Sequence, residues 1–207
     1  MDAVSTSLGE EHAQPRPGRG RRPSAEVRAE ILASAAGLLF AEGLGAVTFD
    51  RVSAESGASR TTLHKWWPTR GALAAEAYFA SVKRDLDFVD TGDIESDVRT
   101  QLHAFARLMT VEPAGRAVRE LIGAAQTDPA LRAAFVEAYS RPRRQEAVEV
   151  LAVAKSRGQI RQDVSLEILV DQLWGACYHR LLLLDEPLDD RLVDEFVSNA
   201  FAGARPR

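Results

Sequence analysis

The sequence predicts an all-α protein, and three observations carry that prediction. Apolar residues recur three and four apart along most of the chain from Ile31 to Phe201. No apolar–polar alternation of the kind a strand needs lasts more than a few residues. The periodic stretches are separated by glycine, proline or a capping residue, which are helix punctuation. About nine helices follow, in three parts: an Arg-rich arm over residues 1–23, a three-helix head over 24–70 built around a helix-turn-helix, and a helical body over 71–207.

The arm carries prolines, glycines and Arg16, Arg19, Arg21 and Arg22 without apolar periodicity, the composition of a disordered segment. Its arginines either stay solvated or follow a nucleic-acid backbone or minor groove, as other N-terminal arms do. Ser24 is the expected cap of the first helix, with Glu26 and Glu30 in turns where the helix dipole favours anions. Ile31, Leu32, Ala35, Leu38 and Leu39 form its buried stripe, Phe40 closes it, and Gly43 ends the helix. Thr48 caps the next helix, Gly57 supplies a turn that favours positive φ, and Ser59 caps the helix that runs to Trp67. Val52 is expected to face Ala58 and Leu63 across the bend, with small Ala54 letting the two helices approach. Phe49, Val52, Leu63 and Trp67 read as core, Trp67 as a packing anchor rather than a base-stacking platform. Arg60, Thr61, His64 and Lys65 are left outward. A short helix led by such donors, braced by another across a tight turn, is the design that enters a DNA major groove.

Pro68-Thr69 closes that helix and starts another from about Arg70 to Leu86, whose Leu73, Ala77, Val82 and Leu86 suggest a connector from head to body. The acidic stretch from Asp85 to Asp93 reads as a loop. Beyond it come a helix over 93–111 carrying Val98, Leu102, Phe105 and Met109, and a shorter one over 116–126. Asp128-Pro129 is a cap followed by proline at the first helical position. The helix it opens holds Leu131, Phe135 and Tyr139, is kinked or divided at Pro142, and continues through Val148, Leu151 and Val153 to Gly158. Arg141, Arg143 and Arg144 read as a solvated face paired with neighbouring glutamates rather than as a second DNA contact. Ser165 caps a helix to Leu184, Glu186-Pro187 breaks it, and a last helix covers 189–201. Both are apolar over more than one stripe. A single core needs one, so the surplus predicts a self-complementary patch between two copies.

Composition bounds the function. The chain has 207 residues, a net charge of −4 and one cysteine, Cys177, which excludes a disulfide framework and suits a reducing, cytoplasmic setting. No apolar run approaches a membrane span and the N-terminus lacks the apolar core of a signal peptide. Residues 14–75 hold nine Lys/Arg against five Asp/Glu, whereas residues 81–207 hold seventeen against twenty-one. A basic head on an acidic body suits contact with a polyanion through the head. No catalytic constellation, phosphate loop or metal motif is found, so neither enzyme activity nor a cofactor is expected. His12, His64, His103 and His179 are scattered, and Cys177 on an apolar helix reads as inert core.

Between residues 31 and 73 the chain resembles the TetR family of one-component transcriptional repressors. The resemblance rests on the helix Ile31 to Phe40 followed by Glu42-Gly43, on Val47-Thr48-Phe49, on Val52 to Ser59, and on Thr62-Leu63-His64-Lys65-Trp66-Trp67-Pro68-Thr69-Arg70-Gly71-Ala72-Leu73. Residues 157–163 and 175–182 look like a subgroup of that family. The resemblance implies a homodimer formed through the last two helices, about 165–184 and 189–201, a double-stranded DNA operator, and a small-molecule effector in a body cavity. Positions matching Ser59, Arg60, Thr61 and Lys65 meet bases in that family, while Thr62 and His64 match phosphate contacts. His64-Lys65 departs from the aromatic or aromatic-basic pair frequent there. From chemistry alone, Arg60 and Thr61 are the candidate base readers, and Thr48, Thr62, His64, Lys65 and Arg70 the candidate phosphate contacts. Phe105, Met109, Leu121, Phe135, Tyr139, Trp174 and Tyr178 are the candidate cavity walls, suited to an apolar organic effector.

Overall fold

The computed structural model describes residues 23–111 and 113–206. The expectation of a DNA-following arm at Arg16, Arg19, Arg21 and Arg22 lies outside the described residues. Among the described residues there are ten α-helices and no strand: α1 (Ser24–Glu42), α2 (Phe49–Ser56), α3 (Arg60–Trp66), α4 (Arg70–Val82), α5 (Ile94–Thr110), α6 (Ala114–Ala125), α7 (Pro129–Phe135), α8 (Arg141–Ser156), α9 (Leu166–His179) and α10 (Asp190–Ala204). A π turn over Val136–Ser140 joins α7 to α8 as one continuous rod, so nine rods are present, as the sequence predicts.

The caps follow the sequence closely. Thr48, Ser59, Thr69, Asp93, Asp128, Ser165 and Asp189 each accept a backbone N–H at the start of a helix, satisfying donors that the helix itself cannot. Gly57 ends α2 in the left-handed conformation, φ 69 and ψ 5. Gly43 ends α1 at φ 88 and ψ 179, a region essentially reserved for glycine.

Several local expectations are corrected. Ser24 is the first helical residue of α1 and not its cap; Pro23 holds the cap position, with no side chain bonding the free N–H groups. Ala54 is exposed and does not mediate the approach of α2 to α3; that corner closes through Val52, Ala58 and Leu63, with the Ser53 hydroxyl donating to the Ala58 carbonyl at 2.7 Å. The connector helix ends at Val82 and tightens into a 3₁₀ turn over Lys83–Leu86. Pro142 divides its rod only in part: the chain stays helical, but the α-helical ladder is interrupted just ahead of it by the π turn. Proline has no N–H and would strike the carbonyl four residues back, and the wide π turn just before it absorbs the mismatch. Val153 is 46% exposed, because the buried stripe of α8 runs through Ala147, Leu151 and Ala154. The chain leaves α9 through a second π turn, Arg180–Leu184, and reverses at Asp185 with φ 50, ahead of Pro187.

Packing is organised on α4. Its buried residues are mostly small, Gly71, Ala74, Ala75 and Ala77 beside Leu73, Tyr78 and Val82, and it lies against α1 on one side and α6 and α7 on the other. The cluster of buried residues therefore runs without interruption from Ile31 and Leu63 in the head to Val197 and Phe201 in the last helix. The acidic loop after α4 is held down: buried Asp97 accepts from the Thr91 amide at 3.1 Å and its hydroxyl at 2.5 Å, and Arg157 pairs with Asp90 at 2.7 Å.

These turns make a graded prediction. Gly57→Ala meets no neighbouring atom and should cost about 1 kcal/mol, the strain of a left-handed alanine. Gly43→Ala combines a conformation closed to alanine with a methyl group 2.8 Å from the Glu120 carboxylate. It should cost more, about 2–3 kcal/mol, read as the difference in urea midpoints at a common slope.

Candidate nucleic-acid interface and body cavity

Residues 60, 61, 64 and 65 are one and four apart, so Arg60, Thr61, His64 and Lys65 share one face of α3. All four are exposed, while Leu63 and Trp67 on the opposite face are buried. Ser59 and Arg70 are exposed at the two ends of α3, and Thr48 and Thr62 are half-buried. The hydroxyls are partly committed: Thr48 caps α2, and Ser59 accepts the Thr62 amide while lying 2.9 Å from the Thr62 hydroxyl. The His64 ring packs edge-on against Phe49, centroids 4.3 Å apart, which fixes its direction on the face. Sequence reasoning missed Asp50, whose carboxylate lies 2.9 Å from the Arg60 guanidinium. Both side chains are largely exposed, so the pair is weak and Arg60 remains available to a competing partner.

Two long-range networks hold this face in place. Glu76 of α4 accepts two hydrogen bonds from the Arg28 terminal nitrogen (2.6 and 2.8 Å), one from its Nε, and one from the Trp67 indole at 2.8 Å. The Arg28 guanidinium lies 4.6 Å from the centre of the Trp67 ring. One carboxylate thus joins α1, the end of α3 and α4. The second network reaches from the body: Arg116 of α6 donates to the Phe40 carbonyl at 2.7 Å, and Glu120 accepts the Leu44 amide at 2.7 Å. These groups complete the C-terminus of α1, where carbonyls lack helical partners. A charged residue looks the same in sequence whether its partner is four or seventy-six residues away, so neither network was legible there.

The body encloses a cavity of about 720 Å³ between α5, α6, the α7–α8 rod and α9. Of the seven residues expected on its walls, Phe105, Phe135, Tyr139, Trp174 and Tyr178 line it. Met109 and Leu121 do not; both are fully buried, packed away from the cavity. The sequence reading missed the polar lining: Gln101, Gln126, Arg132, Arg143, Arg144 and Asp171. A stripe at positions 132, 135, 136, 139 and 143 was the available signal, since those residues share one face of a helix. Burial raises the Tyr139 and Tyr178 phenols, keeping them neutral hydrogen-bonding groups. The buried carboxamide oxygen of Gln101 has no partner among the described residues. Of the three arginines expected on a solvated face beside glutamates, Arg141 pairs with Glu137 and Arg143 with Glu146, but Arg143 is largely buried, and Arg144 pairs with Asp171 of α9 instead.

Cys177 is fully buried and burial pushes its thiol up to about 12, so it carries no thiolate near neutrality. Among the described residues no group of three or more His, Cys, Asp or Glu side chains could hold a metal ion, and no helix is long and apolar enough to cross a membrane.

Residues 88–200 match the family model described as Tetracyclin repressor-like, C-terminal domain. An uncharacterized HTH-type transcriptional regulator of Bacillus subtilis, YdeS, is 30% identical over 187 residues, 90% of this chain and 94% of its own length. A DNA-binding transcriptional repressor TetR of Mycobacteroides abscessus is 28% identical over 83% of this chain and 90% of its own. Among solved structures, the TetR family transcription regulator SCO0332 is 52% identical with a TM-score of 0.81, covering 87% of this chain and 100% of that one.

The buried thiol yields a direct test. In native protein at pH 8, Cys177 should react with Ellman's reagent only at the rate of unfolding, and stoichiometrically once urea has unfolded the chain. Rapid labelling of the native state would contradict its placement.

Proposed function

The chain belongs to the TetR family of transcriptional regulators, and from that premise we propose that it is a homodimeric, sequence-specific DNA-binding repressor, cytoplasmic and without enzymatic activity. Residues 24–70 act as the DNA-binding head and 71–207 as the effector-binding and dimerisation body. The single observation that carries the reading is the exposed donor face of α3, set on a head whose other surfaces are braced by α1 and α4. Arg60 and Thr61 read base edges, with Ser59 and Lys65 beside them. Thr48, Thr62, His64 and Arg70 meet phosphates.

Dimerisation through α9 and α10 is supported by the apolar groups that they and the π turn after α9 leave outside. Ile168 is 59% exposed and Leu183 75%, and a groove of about 460 Å³ between the two helices is lined by Ile168, Phe196, Ala200 and Gly203 among others. Exposed aliphatics beside a groove of small residues suit a four-helix seam between two copies. Two heads held by that seam would meet successive major grooves roughly 34–36 Å apart or a multiple of it, on a near-palindromic operator.

An effector in the body cavity releases the DNA by favouring a dimer with the wrong head spacing. The connection is material: α6 lends Ile122, Ala125 and Gln126 to the cavity and, one to three turns earlier, Arg116 and Glu120 to the end of α1. α4 packs on both α1 and α7. A shift of either helix therefore moves the head.

Selection of bound sequences from random DNA tests the whole reading, with a two-fold symmetric site expected. Arg60→Ala should cost about 1–3 kcal/mol on that site and much less on random DNA; equal losses on both would remove Arg60 from the base readers. Ile168→Glu should convert the dimer to a monomer in sedimentation velocity at micromolar concentration and weaken operator binding with it. A dimer that survives this change would place the seam elsewhere.

A further inference from the structure

We propose that the effector is an apolar acid, a molecule with an aromatic or aliphatic body and one carboxylate or comparable anion, and that Arg132 receives the anion. The inference rests on the cavity being the effector site and adds the chemical class.

The charges of the lining set the sign. Three arginines, Arg132, Arg143 and Arg144, line the cavity with one acidic residue, Asp171, and neither lysine nor glutamate contributes. Asp171 is taken by Arg144, at 3.0 Å. Arg143 is anchored by Glu146 and the Leu86 carbonyl and is largely buried. Arg132 differs from both. Among the described residues its hydrogen bonds go to two carbonyls at the end of α6, those of Ala125 (3.0 Å) and Gln126 (2.7 Å), and to no carboxylate. A helix C-terminus carries about half a negative charge, so a full guanidinium there is only partly offset. Arg132 is also exposed, so an incoming anion meets it without a large desolvation cost.

Geometry sets the rest. Arg132, Phe135, Val136, Tyr139 and Arg143 all line the cavity from one face of the α7–α8 rod. At 1.5 Å per residue, Arg132 and Arg143 stand roughly 16 Å apart along it. Phe105, Phe135 and Trp174 add apolar wall to the same cavity, and the separation of the two arginines is the length of an extended molecule of modest size. Both π turns among the described residues contribute to this lining, Val136, Tyr139 and Ser140 from one and Leu182 from the other. The first also accommodates Pro142, but π turns are uncommon and frequent at functional sites, so two of them on one cavity wall support an occupant there. Aromatic faces also attract cations, but a cation here would pass guanidiniums that outnumber carboxylates.

The test uses the full chain and two scaffolds, biphenyl-4-carboxylic acid and dodecanoic acid, each beside its primary amide and the matching amine, titrated by calorimetry and by quenching of Trp174, read as the part of the tryptophan emission that Trp174→Phe removes. At least one acid should bind about tenfold tighter than its amide, with the amine weakest. Arg132→Gln should bring that acid down to the level of its amide and leave the amide unchanged, which also shows that the variant is folded; Arg132→Lys should keep most of the preference. If amides or amines bind as tightly as the acids and still quench Trp174, the cavity stands and the chemical class is wrong. If the acid's advantage survives Arg132→Gln, the role of Arg132 is wrong. If none of the six binds, the cavity is not the effector site and the inference falls with it.

Discussion

The packing of α4 between head and body is the constraint on which the rest of the molecule depends. A helix can lie against neighbours on opposite sides only if its side chains leave room, and α4 does so with Gly71, Ala74, Ala75 and Ala77. Gly71 is the tightest point: a methyl group there would lie 3.1 Å from the Leu131 side chain. From the same helix Glu76 holds both Arg28 and the Trp67 indole. The orientation of α3 and the position of α7 on the cavity wall are therefore set by one element. A head on a loose linker would need a separate account of how it feels the body; here the continuous core makes the two mechanically inseparable.

The polar groups follow the same plan. The end of α1 is completed by Arg116 and Glu120 of the body rather than by its own neighbours. Unsatisfied carbonyls and amides at a half-buried helix end are costly, so this contact stabilises the head only while α6 keeps its place. The ion pairs on the outer faces, such as Arg60–Asp50 and Arg191–Glu195, contribute little and can be exchanged for other partners. Strong polar contacts thus lie where head meets body, and labile ones lie on outer faces, that of α3 among them.

The elements themselves were largely legible in the sequence. Thr48, Gly57, Ser59, Thr69 and Asp128 act through atoms two to four residues away, so their spacing alone predicts where helices start and stop. The errors came where a local rule met a tertiary demand. Pro142 is a helix breaker by local chemistry, and the α-helical ladder is indeed interrupted just ahead of it, but as a π turn within one rod rather than a full break. Val153 fits an apolar spacing but faces outward, since a stripe of Ala147, Leu151 and Ala154 packs closer. Met109 and Leu121 are as apolar as the residues of the cavity wall, and periodicity cannot separate a core position from a wall position.

The sequence by itself determined the fold class, most of the helix starts, the face of α3 that carries the donors, and the apolar surplus of the last two helices. Each of these depends on interactions within a helical turn or on the average polarity of a face, which are local properties of the chain. Only the tertiary structure decided which charges are compensated: Arg28 by Glu76, Arg144 by Asp171, Arg132 by carbonyls alone. It alone decided which aromatics border empty space. Those outcomes depend on distances between segments far apart in the chain, and a one-dimensional pattern holds no record of them.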